Sequence, residues 1–160
     1  YNAALLAGLD VLERSNHSLY DPSEAYVPPG RDAMVTRSGH HDFCFRNSTA
    51  EDLTLSVQAS GGSLTVALWG RQRHPHRRWI ETRVVRRLPA HVVARVVPGL
   101  APGRRVLVRP GFDGMVVADS LCWSQRGLTR CAALGVDHYA RVDALWHVGP
   151  ASVTDSVSSR

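Results

Sequence analysis

Beyond Gly70 the chain is built from short valine runs separated by proline–glycine and aspartate–glycine dipeptides. Val84-Val85, Val92-Val93, Val96-Val97, Val106 to Val108 and Val116-Val117 alternate with Pro98-Gly99, Pro102-Gly103, Pro110-Gly111 and Asp113-Gly114. β-branched side chains lose rotamer freedom in a helix and pack well on a pleated surface. Pro-Gly and Asp-Gly turn the chain. Turn signals about every 8–12 residues, with no helical period between them, point to an all-β module over residues 79–150. The runs are short, so the expected strands are short and their core thin.

The first part reads differently. Leu5, Leu9 and Leu12 recur at spacings that stack them on one helical face, which predicts a helix over residues 2–14. Pro22 and the Pro28-Pro29-Gly30 run then force an extended, turn-rich connection. Phe43 and Phe45 share one face of a short strand, with Asp42 and Cys44 on the other. Leu53, Leu55, Val57 and Ala59 alternate with polar residues, the period of a half-buried strand. If Gly61-Gly62 forms the turn, Ala59 faces Leu64, Val57 faces Val66 and Leu55 faces Leu68, all on one side of a hairpin. The expected fold class is α+β: one N-terminal helix with antiparallel strands, then a β-rich elongated module. Residues 71–78 form a basic linker between the two, and the Ser-rich residues 151–160 a tail.

The three cysteines give a geometric test. With a turn at Arg126-Gly127, Gln125 faces Leu128 and Cys122 falls opposite Cys131 at a pair not bridged by ladder hydrogen bonds. Such pairs bring Cα atoms to about 4.5 Å, close enough for a disulfide. A Cys122–Cys131 bridge implies an oxidising compartment; a turn one residue longer would leave two staggered thiols. Cys44 is then unpaired. No Cys-x-x-Cys occurs, His74 and His76 flank a proline, and His40-His41 has no cysteine nearby, so neither a metal site nor another cofactor is expected.

Charge narrows the partners. The chain has 160 residues, enough for one ordinary domain or two small ones, and all 19 basic residues are arginine. Residues 1–70 hold four arginines against eight acids, whereas 71–109 hold eleven arginines and one glutamate. A basic face suits nucleic acid, anionic lipid or an acidic wall polymer, although a plain solvated surface gives the same pattern. Nucleic acid is disfavoured, because Trp79 is the sole aromatic in that stretch and no recognition motif is present. No apolar run approaches the roughly 18 residues of a membrane helix. The opening at Tyr1, directly into a helical pattern, reads as a fragment of a longer protein.

Residues 1–70 resemble the C-terminal half of the VanW-like domain. The matching stretches are Tyr1 to Leu9 (YNAALLAGL), Glu13 to Ser18 (ERSNHS), Tyr26 to Ala33 (YVPPGRDA), Asp42 to Thr49 (DFCFRNST) and Gly61 to Val66 (GGSLTV). Residues 83–149 resemble the G-five domain, with Gly103, Gly111, Gly114, Gly127 and Gly149 as its glycines; Cys122 and Cys131 depart from that family's pattern. The resemblance implies an exported bacterial envelope protein, in the wall or secreted, that binds or organises peptidoglycan or another anionic wall polymer. Candidate polymer-binding residues are Trp79 and Trp123, whose faces suit sugar rings, with Arg77 and Arg78; burial in the core is the other common fate of such tryptophans. Exposed strand edges also allow self-association.

The resemblance carries an alternative. The VanW-like family has a Gly-Gly-Gly-x-Cys-Gln motif just before the helix that opens this chain. A cysteine there, followed by a histidine and an aspartate, would complete a Cys–His–Asp constellation in a wall-processing enzyme. By residue type and order, His17 and Asp32 are the candidates. A histidine at a helix end is otherwise a cap or surface residue, and an aspartate after Gly-Arg a turn acid or an arginine partner. Cys44, in mid-strand, is no substitute nucleophile.

Overall fold

The computed structural model describes residues 1–71 and 76–151. The centre of the expected linker, with His74, and nearly all of the expected tail lie outside the described residues. Among the described residues the fold is mostly β with a single short helix, and the sheets are chiefly antiparallel.

The helix is shorter than the leucine spacing suggests. Helix α1 spans Asn2–Ala7 and ends at Gly8, which adopts φ 81° and donates its N–H to Leu5 O at 3.0 Å. A left-handed glycine is a common helix stop, because it turns the chain without a Cβ penalty. Asp10–Glu13 then form strand β1, antiparallel to β2 (Cys44–Arg46). Leu5 and Leu9 are buried, whereas Leu12 is exposed on β1. The expected helix over 2–14 is therefore corrected to one half its length.

The glycine-turned hairpin forms in the expected register. β3 (Thr54–Ser60) pairs with β4 (Ser63–Trp69), placing Ala59 opposite Leu64, Val57 opposite Val66 and Leu55 opposite Leu68. Its apolar face is not buried: Leu55, Val57, Leu64 and Val66 are all exposed. Cross-strand pairing and turn chemistry set this hairpin, not burial.

The second half holds longer strands than expected. β5 (Arg78–Leu88), β8 (Gly114–Gln125) and β9 (Leu128–Tyr139) have 11, 12 and 12 residues and form a sheet in the order β5-β8-β9. β5 carries a bulge between Val84 and Arg86 and β9 one between Ala133 and Gly135, whereas β8 pairs with both without an extra residue. A second sheet joins β6 (Val92–Val96), β10 (Ala144–Val148) and β7 (Arg105–Arg109); β10 runs parallel to β6 and antiparallel to β7.

The core lies where the first part of the chain covers the β5-β8-β9 sheet. On β8, Met115, Val117, Asp119 and Leu121 alternate with less buried residues and are themselves buried. Leu5 of α1 packs with Ile80 and Leu121, flanked by Tyr1, Val11 and Leu134. Tyr20 packs against the cluster of Met115, Val117 and Tyr139. Full burial of each large apolar side chain is worth about 1.5–3 kcal/mol. These residues come from before Gly70 and after it, so the core is shared between the two parts of the chain.

Candidate functional site

Two backbone segments are tied to the end of β9, and each delivers one residue of the site. The first follows β1. Ala140 donates its N–H to Ser18 O at 2.8 Å, and Asn16 Nδ2 donates to His138 O at 3.0 Å, which fixes His17 between them. The second follows the Pro28-Pro29 turn, where Gly30 at φ +83° donates its N–H to Tyr139 Oη at 2.7 Å and delivers Asp32. Glycine is required at position 30: a Cβ there would lie 2.1 Å from Asp119 Oδ2.

The result is a histidine–carboxylate pair. His17 Nδ1 lies 2.7 Å from Asp32 Oδ2, and the His17 backbone N–H donates to the same oxygen at 2.7 Å. Tyr139 donates its hydroxyl to Asp32 Oδ1. Arg14 Nε donates to the Asp32 carbonyl at 2.8 Å, and Arg14 Nη1 meets both Asp137 oxygens at 2.6 Å. The Arg14 guanidinium also lies 4.7 Å from the centre of the Tyr1 ring. Asp32 and Tyr139 are buried, whereas the His17 side chain is 44% exposed.

Protonation follows from these contacts. Burial alone would raise the Asp32 carboxyl, but the His17 N–H, the Tyr139 hydroxyl and the His17 ring hold it below the ordinary value. Burial and the neighbouring Asp32 push the Tyr139 phenol well up, so it stays a donor. Burial would lower the Arg14 guanidinium, but the Asp137 hydrogen bond and charge outweigh it. An ionised Asp32 can only accept, so Nδ1 of neutral His17 carries the proton and Nε2 is left with a lone pair.

The pair lines a cleft of about 630 Å³. One wall is the His17–Val27 segment with Tyr20 and Tyr26; the other comes from the second half, at Arg109, Phe112 and Val142. Tyr26 is 68% exposed and meets the His17 ring edge-on at 6.5 Å. The cleft therefore has aromatic sides and a nitrogen base in its wall.

The other sequence-derived residues are placed as follows. Cys122 and Cys131 form a disulfide, with Cα atoms 4.1 Å apart in the expected register. Glu81 approaches these sulfurs, but a bridged pair offers no thiolate to a metal. Cys44 is a free thiol; desolvation and the charges of Asp42 and Glu13 raise it, which disfavours a nucleophilic role. Trp79 and Trp123 do not converge. Trp79 stands opposite Cys122, on one face of the sheet, and its indole donates to Glu81 at 2.8 Å. Trp123 stands half-buried between Arg78 and Arg130 on the other face. Arg77 is exposed and Arg78 half-buried.

Sequence reasoning missed Arg14, Tyr139 and Asp137, which hold Asp32 in place. Arg14 and Asp137 are 123 residues apart, and no local pattern links them. Tyr139 closes β9, and no local motif marks it in the sequence.

Comparison with known proteins bears on the first part of the chain. Residues 1–69 match the family model described as VanW like protein. A curated relative, the uncharacterized protein YoaR of Bacillus subtilis (strain 168), is 38% identical over 69 residues, which are 43% of this chain and 22% of the relative. The chain thus spans less than a quarter of that relative's length. Among solved structures, the G5 domain of an IgA1 protease covers 49% of this chain and 95% of its own, at 12% identity and a TM-score of 0.34. The HP0197-G5 structure covers 45% of this chain and 97% of its own, at 19% identity and a TM-score of 0.28. Residues 1–69 are therefore similar to the VanW-like family.

Proposed function

We propose that this chain is part of an exported bacterial envelope protein that binds or organises peptidoglycan or another anionic wall polymer, and that the polymer lies in the cleft between the two halves. The carrying observation is the aromatic-sided cleft itself, with Tyr20, Tyr26 and Phe112 in its walls. Aromatic faces suit sugar rings, and Arg109 offers a cation to an anionic group in a lining that also holds the carboxylates of Asp21, Glu24 and Asp32. The Cys122–Cys131 bridge fits an oxidising compartment. A pull-down on purified peptidoglycan at low and high salt tests the reading. Retention at high salt, lost in Tyr26→Ala, supports sugar recognition in the cleft; retention at low salt alone shows charge-driven adhesion and contradicts it.

A second reading is favoured by the 2.7 Å contact between His17 Nδ1 and Asp32. In it the chain supplies the base and orienting acid of a cysteine-dependent wall-processing site, the thiol coming from upstream of Tyr1. His17 Nε2 takes the thiol proton as sulfur attacks and returns it to the leaving group, while Asp32 stays ionised and fixes the ring. Turnover of wall fragments by the full-length protein, compared with His17→Ala, tests it: loss of about 100-fold or more supports a general base, and unchanged turnover ends the reading.

A further inference from the structure

We propose that Tyr139 is a positioning residue for the His17–Asp32 pair: its hydroxyl takes Asp32 Oδ1 and so reserves Oδ2 for His17. The inference rests on the second reading above and adds a role for the β-rich half of the chain.

A carboxylate turns easily about its last torsion, which is broad and two-fold. Unless one oxygen is held, either can meet the histidine, at varying angles. Here the two oxygens have separate partners. Oδ2 accepts from the His17 backbone N–H and faces ring Nδ1, both at 2.7 Å. Oδ1 accepts from the Tyr139 hydroxyl, with Arg14 Nη2 at a longer 3.4 Å.

Tyr139 is itself held from several sides. It is 1% exposed, packs with Met115 and Val117, and meets the Tyr20 ring edge-on at 5.6 Å. Its oxygen accepts the Gly30 N–H at 2.7 Å. A phenol has one proton to give, and with Gly30 on its lone pair that proton goes to Asp32. Tyr139 closes β9, whereas Gly30 and Asp32 follow the Pro28-Pro29 turn. A strand of the second half thus sets the angle of a carboxylate in the first.

A purely structural tyrosine would act through its ring, so the hydroxyl is the part to test. Tyr139→Phe keeps the ring and removes the donor. The readout is the tautomer of neutral His17, from long-range proton–nitrogen correlation of the ring in the labelled 160-residue chain. The wild type is expected to show a protonated Nδ1 and a pyridine-like Nε2, the reverse of the tautomer imidazole prefers in water. In Tyr139→Phe both nitrogens are expected to move toward averaged values, with unfolding still cooperative. Unchanged nitrogen shifts in Tyr139→Phe would overturn the role of Tyr139. A wild type with a protonated Nε2 would overturn the His17–Asp32 reading itself. If Tyr139→Phe fails to fold, 3-fluorotyrosine placed at 139 alone keeps the ring and strengthens the donor. The His17 Nδ1 signal should then shift, and a static signal overturns the proposal.

Discussion

Tyr139, the last residue of β9, donates its hydroxyl to Asp32, 107 residues earlier in the chain. Asp32 in turn faces His17, so the three residues form one hydrogen-bonded row, with His17 and Asp32 in the wall of a cleft. The contacts around that row make the following outcomes measurable.

Arg14→Ala should be strongly destabilising. It leaves Asp137 buried without the guanidinium that meets both its oxygens at 2.6 Å. Breaking one side of a buried ion pair costs about 3–5 kcal/mol. Urea unfolding should show that loss, and the double variant Arg14→Ala/Asp137→Asn should recover part of it.

Two buried acids should give stability opposite slopes with pH. Asp32 is held below its ordinary value of 3.8, so its contribution is present above 3.8 and is lost as pH falls through the lower folded value. Asp119 is raised, chiefly by burial, so its contribution is present below 3.8 and is lost as pH rises through the higher folded value. Urea unfolding between about pH 2 and pH 6 should therefore show Asp32→Asn flattening the acid limb and Asp119→Asn flattening the limb above it.

Gly30→Ala should disturb the site more than its size suggests. The residue sits at φ +83°, and a Cβ would run into the Asp119 carboxylate. Strain and clash together should cost about 2 kcal/mol or more. The His17 ring signals should shift as the segment carrying Asp32 is displaced.

The disulfide should be present and stabilising. Thiol titration in denaturant without reductant should find one reactive cysteine, Cys44. Replacing both Cys122 and Cys131 by alanine opens a bridge across a sequence separation of 9 and should cost about 2–3 kcal/mol. Three reactive thiols would remove the bridge.

The hairpin and the central sheet should respond differently to the same substitution. Val57 is 58% exposed, so Val57→Thr should change stability by less than about 0.5 kcal/mol. Val117 is 0% exposed, so Val117→Thr buries a hydroxyl among apolar neighbours and should cost about 1–3 kcal/mol.

The features that could be read from sequence are those fixed locally. The register of β3 and β4 follows from Gly61-Gly62 and a period of two. The Cys122–Cys131 pair follows from Arg126-Gly127, both at positive φ. The identities of His17 and Asp32 came from their order in a resembled family, and the structure brings them to 2.7 Å. The leucine spacing over-extended the helix because it is blind to Gly8, which ends α1. Burial of the hairpin face and the length of β5, β8 and β9 depend on what packs where, which periodicity does not encode. The partners of Asp32 were out of reach for the same reason: Arg14 and Tyr139 carry no motif, and only the packing of the first part on the β5-β8-β9 sheet brings them together.

The most direct test is a titration of soluble peptidoglycan fragments into the nitrogen-labelled chain, followed by NMR. The account predicts saturable shifts on both walls of the cleft, at His17 to Val27 and at Arg109, Phe112 and Val142. Shifts centred on Trp79 or Trp123, or no saturable shifts at all, would contradict it.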